Sequence, residues 1–105
     1  MSEMADAEKI RLELASIRHP EINASFEELG MIADVVVKKT TAVVTLKLPF
    51  KEVPIRDLLV RKVKEVIEKM NENLEVMVNF EEMNEKERKN FFGIARERWT
   101  GLRKE

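Results

Sequence analysis

The chain contains no cysteine, no tyrosine and no glutamine. Zero cysteines exclude disulfides, thiolate nucleophiles, Cys-x-x-Cys redox pairs and any cysteine-ligated zinc or iron–sulfur site. The single histidine, His19, excludes a multi-histidine metal site within one chain, and any Ser-His-Asp triad would have to use it. The three glycines, Gly30, Gly93 and Gly101, stand too far apart for a phosphate-cradling loop. No apolar run approaches the ~18 residues of a transmembrane helix, and Met1-Ser2-Glu3 does not open like a signal peptide. No membrane association and a cytoplasmic location are the expectations. Charge of one sign is also missing: 19 Lys and Arg balance 20 Asp and Glu, a net charge of −1. A basic nucleic-acid module would be lopsided. Charged residues are nonetheless abundant at 37%, above the usual ~25%. Such a charge content without cysteine fits a thermophilic source.

A length of 105 residues suits one small domain. Ala7, Ile10, Leu14 and Ile17 recur at helical spacing, so residues 5–18 read as a helix. His19-Pro20 ends it, because the residue before proline is driven out of the helical region. Ser25 and Glu28 have the spacing of a capping box, the mark of one short helical turn, after which Gly30 releases the chain. Ile32–Lys38 is a β-branched run. Ala42–Leu48 alternates, with Ala42, Val44, Leu46 and Leu48 on one face. The two read as an antiparallel hairpin turning near Lys39-Thr40. After a loop from Pro49 to Pro54, a helix runs to about Met70 with Pro54 at its first position. Its apolar stripe includes Leu59, Val63 and Ile67, and Asp57/Arg61 and Glu65/Lys69 are spaced as surface ion pairs. Leu74–Phe80 reads as a third strand. Asn84-x-x-Glu87 caps a last helix over about 85–99. A frayed tail is expected over 101–105.

The expected architecture is α+β, in the order α-β-β-α-β-α, with a small three-stranded mixed sheet packed against helices. A strand–helix–strand crossover makes its two strands parallel. The second face of the sheet would carry Val36, Val43, Thr45 and Met77. Either the last helix or another subunit would cover it, so a homodimer is one expectation.

Few residues offer chemistry. The loop Pro49–Pro54 lies where a strand ends and a helix begins, a common ligand position in α/β units. Val53 cannot cap that helix, so its N–H groups need water, Glu52 or a partner's group. The bland reading is a proline-bounded turn. His19-Pro20-Glu21 puts an imidazole beside a carboxylate, although a lone histidine at a helix end is more often a dipole partner. No serine or aspartate is spaced to complete a catalytic set. The methionines suit packing better than metal ligation. The basic residues Arg61, Lys62, Lys64 and Lys69 interleave with Asp57, Glu65 and Glu68 as a solvated helix face does. Phe91, Phe92 and Trp99 cluster near the C-terminus; Trp99 is either core or an exposed anchor for a partner.

The order of these segments resembles the iron–sulfur cluster assembly domain family, which includes SufT-like proteins, PaaD-like proteins and the N-terminal domain of some Mrp-type cluster-carrier ATPases. The stretches carrying the resemblance are Ile17–Ile22, Glu28–Val35, Val43–Pro49, Val53–Leu59 and Leu74–Val78, together spanning roughly residues 8–80. Two departures stand out. Where the family has Asp before Pro-Glu, this chain has His19. Where the family's loop has a cysteine before proline, this chain has Val53, and the loop is longer. The resemblance implies a fold and a pathway, and the missing cysteine removes thiolate ligation of a cluster.

The resulting expectation is a single SufT/PaaD-like domain over 1–105. It would be a non-enzymatic accessory or adaptor of iron–sulfur assembly or metalloprotein maturation, acting on assembly or client proteins, with no cofactor of its own. The expected contact residues are His19, Glu21, Pro49, Phe50, Glu52, Val53, Pro54 and Trp99, and no catalytic or metal-ligating residue is assigned. The alternative is a small metal-binding protein or enzyme using His19 and Glu21. A nucleic-acid binder is disfavoured by the charge balance and by the lack of tyrosine and of a Gly-x-x-Gly clamp.

Overall fold

The computed structural model describes residues 3–50 and 52–100. The elements are α1 (Glu3–Ala15), β1 (Ile32–Lys38), β2 (Thr41–Leu48), α2 (Arg56–Met70), β3 (Glu75–Glu82) and α3 (Glu85–Arg98). The α-β-β-α-β-α order holds. β2 is the central strand, antiparallel to β1 and parallel to β3. The expectation for the tail 101–105 lies outside the described residues.

Alternation drives the sheet. Ala42, Val44, Leu46 and Leu48 are buried, as are Val35 and Val37 of β1. Val76, Val78 and Phe80 of β3 are only half-buried, because the helices pack more closely over β1 than over β3. The buried face meets Ile10 and Leu14 of α1 and Leu59, Val63 and Ile67 of α2 in one core. The hairpin closes in two residues, with Lys39 at φ 54°.

Some boundaries differ from the sequence reading. α1 ends at Ala15, three residues early. Residues 18 and 25 form a bridge, and the His19 N–H donates to the Ala24 carbonyl, so this segment folds back on itself instead of continuing the helix. The capping box at Ser25 and Glu28 is present in both directions. Its turn ends with the Gly30 N–H on the Glu27 carbonyl and the Met31 N–H on the Phe26 carbonyl, a Schellman closure that needs the φ of 71° at Gly30. Phe26, Leu29 and Met31 are fully buried, so the turn acts as an apolar plug. Pro54 is not the first residue of α2. It occupies a turn closed by the Arg56 N–H on the Val53 carbonyl, and the helix starts at Arg56. Among the described residues, neither Asp57/Arg61 nor Glu65/Lys69 forms an ion pair; exposed long side chains gain little from pairing.

α3 begins in a full capping box, Asn84 with Glu87. It does not lie on the second face of the sheet. It closes the end where β2 and β3 finish: Arg88 donates to the carbonyls of Pro49 and Met83, and Glu87 pairs with Lys47. Its C-terminal residues run alongside the His19-Pro20-Glu21 segment. The Asn23 N–H donates to the Arg98 carbonyl, Ile22 bridges Trp99, and the Thr100 N–H donates to the Glu21 carbonyl. Trp99 is therefore the extended residue that caps the helix, not its last turn.

Candidate functional site

Three segments far apart in sequence meet at this end of the sheet: residues 19–22, the loop 49–55, and the end of α3. They enclose a cavity of about 170 Å³. All eight residues singled out in the sequence line it: His19, Glu21, Pro49, Phe50, Glu52, Val53, Pro54 and Trp99. The turn at Pro54 faces Val53 and Ile55 into the wall, and Leu48, Leu59 and Met31 supply the apolar lining.

Among the described residues, His19 is the one buried polar side chain, 8% exposed. Its Nδ1 accepts the Glu21 N–H at 3.0 Å, so the proton of the neutral ring sits on Nε2. Burial first, and the nearby Lys62 ammonium second, lower its pKa from 6.5 to about 4. The acceptor position two residues before the donor is that of an Asx turn, so the ring nitrogen does here what a carboxylate oxygen of Asp would do. That explains how histidine is accommodated where the resemblance expects aspartate. Phe91 stands edge-on to the imidazole at 6.2 Å.

An aromatic chain continues outward. Phe91 meets Phe92 at 5.4 Å, and Phe92 meets Phe50 of the loop at 5.7 Å. Phe91 is buried, whereas Phe50, Phe92 and Trp99 are 52%, 38% and 59% exposed. The rim is thus three exposed aromatic rings around an apolar hollow, with Glu52 and Pro54 also exposed. The sequence reading missed the part of Phe92. The signal was the Phe91-Phe92 pair itself, since neighbours on a helix lie about 100° apart and cannot both enter one core.

Chemistry is sparse. Among the described residues, no three His, Cys, Asp or Glu side chains converge as a metal would require. His19 has one nitrogen engaged by the backbone, leaving a single ligating atom. A cluster held by thiolates does not fit these residues. On the far side of the loop, Arg56 stacks over the Phe80 ring at 4.4 Å beside Glu52, Glu81 and Glu82. At the neighbouring corner, Glu28 is held to about 2, below its usual value, by the Ser25 amide and the Arg98 guanidinium.

Comparison with known proteins follows the same outline. The family model described as "Iron-sulfur cluster assembly protein" matches residues 7–80. The chain belongs to the iron–sulfur cluster assembly protein family. A crystal structure of a domain of unknown function from Bacillus anthracis shares the fold, with a TM-score of 0.72 at 22% identity, covering 90% of this chain and 96% of that one. No curated protein matches the chain. The family segment ends two residues before β3 does, so it holds the sheet, α2 and the loop but not α3, which supplies Phe91, Phe92 and Trp99 to the cavity. In this family member the position where the resemblance places a cysteine, Val53, is on the cavity wall.

Among the described residues, no helix is long and apolar enough to cross a membrane.

Proposed function

We propose that this chain is a non-enzymatic accessory protein of iron–sulfur cluster assembly or metalloprotein maturation, and that it docks another protein of that process at the aromatic rim. The observation that carries the reading is the convergence of the loop 49–54, His19-Glu21 and Trp99 on one apolar cavity ringed by Phe50, Phe92 and Trp99. Exposed aromatic rings around a hollow are the features that anchor protein partners. Family membership supports the process, and the lack of thiols supports a role in contact instead of ligation.

The test is affinity purification of the tagged protein from its native cells, beside the variants Phe50→Ala and Trp99→Ala. Enrichment of cluster-assembly factors or cluster-containing clients by the unaltered protein, lost in both variants, is the expected result. No such enrichment, or enrichment indifferent to both substitutions, overturns the proposal.

A further inference from the structure

Among the described residues, no helix lies over the second face of the sheet, and α3 reaches only its end, where Glu87 pairs with Lys47. Its side chains form rows across the three strands. Lys38, Thr41 and Glu75 make one row; Val36, Val43 and Met77 the next; Asp34, Thr45 and Asn79 the third. The middle row is wholly apolar, and Met77 is 53% exposed. Lys38, Asp34 and Glu75 have no ion-pair partner among the described residues.

We propose that this face is the contact surface for a second copy of the same chain. Its charges are arranged for self-recognition. A two-fold axis in the plane of contact, passing through Val43, can run along the strands or across them. Along the strands, Lys38 of one copy falls over Glu75 of the other, twice, and Val36 falls over Met77. Across the strands, Lys38 falls over Asp34, twice, and Val43 over Val43. Both directions stack the apolar row on itself and give every Lys38 an acidic partner, and neither sets like charges together within these rows. Such an isologous contact is the commonest form of protein dimer, and two sheets pack face to face about 10 Å apart.

The footprint is modest. Three strands spaced ~4.8 Å, with about seven residues of ~3.4 Å each, offer roughly 300–400 Å² per copy, less than the ~800 Å² of a standard interface. The dimer is therefore a weak one, formed at high concentration.

Sedimentation equilibrium between about 10 µM and 1 mM tests it, at a range suited to weak association. The weight-average mass should rise from 12.3 kDa toward twice that value. Met77→Glu, on an exposed side chain that leaves the core intact, should hold the mass at the monomer value, as should Lys38→Glu. Circular dichroism checks that both variants are folded. The charge swap Lys38→Glu with Glu75→Lys restores association if the axis runs along the strands; Lys38→Glu with Asp34→Lys restores it if the axis runs across. Restoration by either swap supports the proposal. A monomer up to 1 mM, dimerisation unaffected by Met77→Glu, or rescue by neither swap overturns it.

Discussion

The buried imidazole of His19 ties local geometry to pH. Its folded pKa of about 4 lies below the unfolded 6.5, so the unfolded chain binds more protons between these values. The contribution of the neutral ring is complete above pH 6.5 and is lost as pH falls toward 4. Between pH 7.5 and pH 5 the loss should be about 2 kcal/mol, read from urea unfolding at the two pH values. His19→Asn can still accept the Glu21 N–H but does not titrate, so the slope in this window should vanish. Glu28 works in a lower window. Its depressed pKa means that its contribution is present above pH 4.5 and falls away as pH drops toward 2, and His19→Asn should leave that limb unchanged. Trp99 and Phe50 show the opposite balance. Both are more than half exposed, so replacing either with alanine should change stability by no more than about 1 kcal/mol in the same unfolding measurement. At this scale the sequence showed that His19 was the single imidazole next to Glu21. It did not show that the ring would be buried, because burial depends on Phe91 arriving from more than seventy residues away.

Elements were legible where their pattern is local. β2 alternates for its whole length and is buried on one face as read. The stripe of α2 faces the core at Leu59, Val63 and Ile67. Both capping boxes could be read from residue spacing and both form. Asn84→Ala removes the side-chain acceptor at the start of α3 and should cost about 1 kcal/mol, lowering the thermal midpoint by roughly 4–8 °C. The same change at an exposed mid-helix site such as Lys89 should have little effect. What failed was the extent of α1 and the start of α2. In each case a backbone hydrogen bond to a non-helical segment, His19 to Ala24 and Arg56 to Val53, won over continuing the helix. Such bonds leave no periodic trace in a sequence.

At the scale of the molecule, one core links every element, and α3 contributes Phe91 and Ala95 to it. A chain cut after Met83 keeps the whole family-matched segment, yet it uncovers Ile22, Leu48 and His19 at the cavity end. It should be several kcal/mol less stable than the full chain, seen as a lower urea midpoint or as absence of a cooperative transition. In the intact chain, Trp99 fluorescence and far-UV circular dichroism should report the same midpoint, because the strap at 98–100 is hydrogen-bonded into the core segment 21–23. By itself the sequence determined the α+β class, the element order, the parallel and antiparallel pairing, the absence of thiol chemistry and the family. The family rests on a resemblance in the order of short motifs; the rest follow from local periodicity, turn residues, composition or the crossover between β2 and β3. The tertiary structure alone decided that α3 closes the end of the sheet and leaves the second face open. It also decided that His19, the loop 49–54 and Trp99 share one cavity. Those outcomes depend on contacts between residues tens of positions apart, where burial of apolar surface, not local preference, selects the arrangement.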